Sequence, residues 1–235
     1  VLNRDDPTVM MLSKHILPKK IFFSLNERLA EGAFSNGKQM TLRLHGAEED
    51  YPLTQARLKG IHNVENMMAA LTAARVFGCS RRAVEAVLGR FEGLEHRLEF
   101  VQEIEGVRYY NDSKGTNVGS VVKSLQSFSE PVVLIAGGKD KQGDLSPLKD
   151  LIRKRVKQLI LVGEAKERMA RELGMLTETV MAPTLEEAVL MAHQVAQKGD
   201  VVLLSPACSS YDMFRDYKER GKVFKETVRR IGDSS

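Results

Sequence analysis

The chain has 235 residues, 43% hydrophobic and 28% charged, the balance of an ordinary globular protein long enough for one large or two modest domains. Its net charge of +4 is interspersed with acidic residues and forms no basic stripe, which argues against nucleic-acid binding, and no apolar run reaches membrane-spanning length. No secretory leader is legible, and Cys79 and Cys208 stand alone without metal-ligand spacing, so a reducing cytoplasmic setting, without a metal held by these residues, is expected; a monomer is expected as well.

Val1 stands inside what reads as the end of a strand, which suggests a fragment. Ile21-Phe22-Phe23 and Met40 to Leu44 read as strands, separated by the polar stretch Asn26 to Lys38. Within that stretch Gly32 to Gln39 comes close to a phosphate-binding P-loop. Gln39, however, stands where a hydroxyl must meet Mg2+, and the segment leads into a strand rather than a helix, so a hairpin-like turn is expected. Val64, Met67, Met68 and Leu71 recur at helical spacing up to Gly78. Asn63 and Asn66 lie three apart on that helix, where two amides can read the edge of a purine base or one can serve as a cap. Ser80 can cap the next helix, whose apolar face is Val84, Val87, Leu88 and Phe91. Periodicity stops at Glu92 to Arg97, which places a domain boundary between residues 1–95 and 96–235.

From Val107 strand and helix alternate. Val107 to Tyr110, Val132 to Ala136, Leu159 to Val162, Thr179 to Met181 and Val201 to Leu204 are short apolar runs suited to parallel strands covered on both faces. Thr184-Leu185-Glu186-Glu187 is a capping box opening a helix whose inward face is Leu185, Ala188, Val189 and Ala192. The pattern is α/β: a doubly wound, mostly parallel sheet, preceded by an incomplete α/β domain.

Ligands of such sheets bind beyond the carboxyl ends of the strands. Three polar loops stand there: Asn111 to Asn117, Gly137 to Lys141, and Ser205 to Ser210, the last followed by Tyr211 to Tyr217 as the apparent start of a helix. Asp112 can accept from sugar hydroxyls and Lys114 can neutralise a phosphate, while Thr116 can bind a ligand oxygen or cap a helix. The same residue types also make turns and caps, the preferred reading for Asn117. No Gly-x-Ser-x-Gly setting surrounds the serines, so a nucleophilic hydrolase is disfavoured.

Together, Gly60-x-His62-Asn63-x-x-Asn66, Gly93-Leu94-Glu95-His96-Arg97, Asn111 to Asn117 and Ser205 to Ser210 resemble the Mur ligase family, nearest to its D-glutamate-adding members. Asn3-Arg4-Asp5-Asp6-Pro7 looks like the segment that ends a central-domain strand in that family. The resemblance implies an ATP- and Mg2+-dependent ligase that joins D-glutamate to UDP-N-acetylmuramoyl-L-alanine through an acyl phosphate in peptidoglycan precursor synthesis. It assigns residues 1–95 to the end of the ATP-binding domain and 96–235 to the amino-acid-binding domain. Asn63 and Asn66 would contact adenine, Arg97 phosphate, and Asp112 and Lys114 the ribose and phosphate region. Lys141, Thr116, Ser210 and Tyr217, with Tyr211 beside them, would hold the D-glutamate carboxylates, Lys141 and Arg97 being the catalytic pair. Gly115 departs from the family's usual Ala, and Tyr217 from its frequent Phe. The family's P-loop, Mg2+ ligands, carbamoylated lysine and UDP-sugar domain would lie upstream of Val1, leaving these residues inactive alone. A folylpolyglutamate-type ligase and a non-catalytic nucleotide- or amino-acid-binding module are the alternatives.

Overall fold

The computed structural model describes residues 1–58 and 60–234, apart from the side chains of His62 and Ser234. The chain divides into two compact units, Val1–Glu92 and Gly93–Ser235. The break precedes the sequence-based boundary by three residues, and Lys225 gives the reason. Its ammonium lies 2.9 Å from both Glu95 and Glu99, tying the turn before the second unit to that unit.

In the first unit a sheet runs in the order β1 (Leu2–Asn3), β2 (Phe22–Ser24), β3 (Gly32–Ser35), β4 (Gln39–Leu44), β5 (Ala47–Pro52). The first three strands are parallel, and β3-β4-β5 form antiparallel hairpins. The segment resembling a P-loop is therefore a hairpin: Ser35 pairs with Met40 across its turn. Two strands escaped the sequence reading. β3 sits inside the polar stretch, and β5 carries Glu48, Glu49 and Asp50, which pairing with β4 rather than an apolar run holds in a strand.

Helix α1 (Pro7–Ser13) is capped by Asp6, whose carboxylate accepts from the N–H of Thr8 and Val9. α2 (Ile61–Val76) buries Val64, Met67, Met68 and Leu71 against Phe23, Ala33, Met40 and Leu42 of the sheet. α3 (Arg81–Arg90) is capped by Ser80, as its sequence predicts, but only Val84 of its apolar face is buried. Val87 and Phe91 line an open apolar groove of about 310 Å³ that α3 forms with α2. Sequence periodicity identifies a face; it does not say whether anything lies against it.

The second unit comprises β6 (Glu99–Ile104), β7 (Val107–Asn111), α4 (Val118–Gln126), β8 (Val132–Gly137), α5 (Lys149–Arg155), β9 (Val156–Val162), α6 (Lys166–Leu173), β10 (Glu178–Met181), α7 (Leu185–Val195), β11 (Val201–Ala207) and α8 (Tyr217–Ser234). Its sheet has the order β10-β9-β8-β11-β7-β6, parallel except for the antiparallel edge strand β6, which the sequence reading missed. Alternation along the strands feeds two cores. Leu134, Leu159, Leu161, Val201 and Leu203 face α4, α5 and α6, whereas Val133, Ile135, Ile160, Val202 and Leu204 face α7 and α8. Helices on both faces make the sheet doubly wound.

Two boundaries differ from expectation at the functionally interesting end. Ser205, Pro206 and Ala207 belong to β11, not to a loop, and the helix begins at Tyr217, after a turn through Tyr211 to Asp216. Pro206 has no N–H to give a central strand, and the β11–β8 register shifts between Leu204 and Ala207.

An ion pair at the opposite end links β7 to the approach to β8. Arg108 Nη2 lies 2.6 Å from Glu130 Oε1, and that guanidinium holds the Glu130 carboxyl down at about 2. A lowered carboxyl pKa stabilises the fold above its ordinary value and loses that contribution as pH falls through the folded value. With both side chains about a third exposed, the pair contributes no more than about 1 kcal/mol. Urea unfolding of Glu130→Gln should show that deficit at about pH 6 and lose it as pH falls below about 2.

Candidate functional site

Strands β8, β11 and β7 are neighbours and parallel, so their carboxyl ends open onto one rim. The three loops are laced together by backbone. Ala207 N–H donates to Gly115 O (2.9 Å), Lys139 N–H to Ser209 O (2.9 Å), and Asp112 N–H to Leu204 O (2.8 Å). The Lys141 ammonium reaches Thr116 O at 3.3 Å, joining two residues 25 apart in sequence. Ser210 is buried, and its carbonyl accepts from the N–H of Met213 and Phe214. Gly137 and Gly138, at φ +113° and +129°, allow this closeness: a Cβ would stand 2.1 Å from Val162 O on the first and 2.4 Å from Ser209 O on the second. Ala207 is held at φ +60°, strain at the junction of two of the loops.

Asn117 caps α4 through Ser120 N–H, which leaves Thr116 uncommitted to that cap. Lys114 stands over the Tyr217 ring, its ammonium 4.0 Å from the centroid, so the two are neighbours despite the distance in sequence. Tyr211 is 73% exposed in the turn before α8. Arg97 is exposed on the turn that precedes β6. Asn63 and Asn66 belong to the first unit, near the start of α2, where Asn66 is exposed beside the apolar groove.

Asp112 is buried, with Oδ2 accepting from the hydroxyls of Ser124 and Ser205, both at 2.7 Å, and Oδ1 from Leu98 N–H at 3.3 Å. Burial raises its pKa despite these donors. Its role in this fold is to pin the loop to β11 and α4.

Gly115 explains the inward turn. A Cβ there would lie 2.4 Å from Asp112 Oδ2 and 2.8 Å from Ser205 Oγ. The position needs a glycine for space, since its backbone is not left-handed. Gly115→Ala should expel the Asp112 carboxylate from the Ser124–Ser205 cradle and cost about 1–3 kcal/mol, measurable by urea unfolding. Asp112→Asn in the alanine background should then add less destabilisation than in the parent, because the contacts are already broken.

The most heavily engaged side chain under the rim escaped the sequence reading. Arg220 is 2% exposed and donates to Ser113 Oγ (3.0 Å), Ser113 O (2.8 Å), Cys208 O (3.1 Å) and Ser209 O (3.2 Å). Burial pushes its pKa down to about 10. The available signal was its place four residues before Phe224 and eight before Val228, on the apolar stripe of α8. Asn111 and His96 were also missed as a pair: Asn111 Nδ2 meets His96 Nδ1 at 2.9 Å and Glu99 Oε2 at 3.0 Å, beside the Arg97 turn. Burial first, then the Lys225 charge, lowers the His96 pKa.

Among the described residues no three His, Cys, Asp or Glu side chains gather as a metal site. Asp5 is occupied by Ser24 Oγ and Leu25 N–H, and Asp6 by its cap, so these residues do not themselves fit a Mg2+ ion. Nor is any described helix long and apolar enough to cross a membrane.

A doubly wound domain with three polar loops on one rim defines an α/β ligand-binding class, and comparison with known proteins narrows it. Residues 96–208 match the family described as "Mur ligase, glutamate ligase domain". The second unit is a domain of this kind, and the resemblance carried by the motifs holds along the chain. It is 50% identical over 235 residues, all of this chain and 52% of the relative, to the UDP-N-acetylmuramoylalanine–D-glutamate ligase of Geotalea uraniireducens. To the ligase of the same name in Geotalea daltonii it is 51% identical over 231 residues, 98% of this chain and 51% of that one. The chain thus spans about half the length of the curated relatives it matches. Among solved structures, a pseudomurein peptide ligase type C from Methanothermus fervidus shares the fold with a TM-score of 0.68 at 18% identity, over 98% of this chain and 56% of that one. The MurF ligase from Thermotoga maritima, solved in complex with ADP, does so with a TM-score of 0.61 at 13% identity, over 97% and 53%.

Proposed function

We propose that this chain is part of an ATP-dependent ligase that adds D-glutamate to UDP-N-acetylmuramoyl-L-alanine in the cytoplasm, a step of peptidoglycan precursor synthesis, and that its second unit receives the D-glutamate. The observation that carries this reading is the Lys141 ammonium reaching Thr116 O on a rim to which backbone bonds of Ala207 and Ser209 tie the segment carrying Ser210, within a domain matching the glutamate ligase family. A dicarboxylate needs a cation and several neutral donors, and the rim provides both kinds. Relatives at about half identity, named for this reaction, support the choice of amino acid.

ATP, with Mg2+, supplies the phosphoryl group that turns the muramoyl-peptide carboxylate into an acyl phosphate. The contribution of these residues is positional. Lys141 neutralises a carboxylate of the incoming amino acid, Thr116 and Ser210 orient it, and the amine is thereby aimed at the activated carbonyl. Lys114 and Arg97 are the cations suited to phosphate, and Asn63 and Asn66 the amides suited to adenine. Asp112 would meet the ribose and phosphate region with a carboxylate that also accepts from Ser124 and Ser205.

A competition assay tests the assignment. A ligase carrying this chain, offered D-glutamate, L-glutamate and glycine together, should incorporate D-glutamate; preferential use of another amino acid would select a different Mur-type ligase. The 235 residues by themselves contain no P-loop signature to cradle β- and γ-phosphates, so they should form no detectable amide bond from the same substrates. Turnover by the isolated chain would sink that expectation.

A further inference from the structure

We infer that Arg220 is a positioning residue of the amino-acid site: a buried guanidinium that locks the Ser113 loop to the Cys208–Ser209 turn and leaves its charge to be balanced by the carboxylate the rim receives. This deepens the reading of the rim as an amino-acid site and rests on it.

Three observations converge on this role. First, every oxygen that Arg220 bonds is neutral: one hydroxyl and three backbone carbonyls. Among the described residues Arg220 makes no ion pair, although it is 2% exposed. Its neighbouring acids make no hydrogen bond to it: Asp112 accepts from Ser124 and Ser205, and Asp212 accepts from Glu164 N–H through Oδ2 while its buried Oδ1 has no partner among the described residues. A buried cation without an ion pair is costly, and packing alone could be served by an apolar side chain here.

Second, its fork reaches both sides of the rim. Ser113 precedes Lys114 and Thr116, and Ser209 precedes Ser210, so one planar group sets the spacing between two of the proposed carboxylate-binding segments. Third, the charge lies directly behind the remaining loop: a Cβ on Gly138 would stand 3.0 Å from Nη1. Gly138 leads through Lys139 to Lys141, so all three segments share this cation as their support. A fixed positive charge in a poorly solvated place acts on an anion at the rim without touching it, because little water screens the interaction.

The role is read from substrate kinetics in a ligase carrying this chain. Arg220→Gln keeps a planar amide but removes the charge; it should raise the D-glutamate KM by about tenfold or more. The ATP KM and kcat should stay within about twofold. Arg220→Lys restores charge without the fork and should recover a large part of the lost D-glutamate affinity. A clamp that is only structural predicts otherwise: a lower melting temperature, with the D-glutamate KM unmoved or with all kinetic constants disturbed together. Either result, or a lysine variant no better than glutamine, overturns the inference.

Should Arg220→Gln fail to fold, Ser113→Ala decides the matter, since it removes the hydroxyl that receives Nε and donates to Tyr217 O at 2.8 Å. A D-glutamate KM raised about threefold or more supports the inference, and an unchanged one rejects it. If the parent ligase uses a different amino acid, the proposed substrate is wrong, and the same variants test Arg220 through that amino acid's KM.

Discussion

Lys141→Ala, made in a ligase carrying this chain, should raise the D-glutamate KM by about 10- to 100-fold. A charge-assisted hydrogen bond to a carboxylate contributes about 1.5–3 kcal/mol, and each 1.4 kcal/mol is about tenfold in affinity. The effect should be selective. Lys141 is exposed, with Thr116 O as its hydrogen-bond partner at 3.3 Å, so its loss costs the fold little. Steady-state kinetics with each substrate varied in turn gives the readout: the D-glutamate KM rises while the ATP KM holds. An unmoved D-glutamate KM would remove Lys141 from the site. Lys141→Arg should fall between parent and alanine, because charge is retained but the reach and geometry of the donor change.

Gly137→Ala should be the most damaging single methyl in the second unit. The residue ends β8 at φ +113°, a region that L side chains avoid, and a Cβ would stand 2.1 Å from Val162 O. That oxygen is backbone, and it also accepts from Gly138 N–H at 3.0 Å, so it cannot rotate away. Relief requires separating β8 from β9 where the two strands pair, between Gly137 and Val162. A cost above about 3 kcal/mol is expected, and with it a fall in melting temperature of roughly 10 °C by circular dichroism. Gly143→Ala is the control: nothing lies within 4 Å of its Cβ position and its φ is not left-handed, so it should melt with the parent. Equal melting of the two variants would show that the close approach at Gly137 is not needed.

Both predictions concern loops whose composition was legible and whose depth was not. The strands of the second unit were readable because parallel strands buried on both faces leave continuous apolar runs, as in Val132 to Ala136. The inward face of α7 was readable because four residues at helical spacing, Leu185, Ala188, Val189 and Ala192, follow a capping box. Strands β5 and β6 were not, because edge strands with Glu48, Glu49, Asp50, Glu99 and Glu103 take their conformation from a neighbouring strand rather than from burial. The depth of Asp112 was hidden for a related reason. An acid in a polar loop reads as solvent-facing until the serines that receive it, 12 and 93 residues away, are known. Arg220 was invisible because its partners are mainly backbone carbonyls, which every sequence has and no sequence displays.

By itself the sequence determined that the second unit is a doubly wound sheet, that three polar loops stand at its strand ends, and that the motifs are those of the Mur ligase family. These properties follow from local periodicity and from residue types that only certain chemistry requires. Tertiary structure alone decided which groups under the rim serve the fold and which remain available to a ligand. It turned Asp112 inward through the space left by Gly115, set Lys114 over Tyr217, and put behind all three loops a guanidinium with no ion pair among the described residues. The physical reason is that burial and hydrogen bonding are pairwise properties of distant residues, fixed only when β8, β11 and β7 lie side by side.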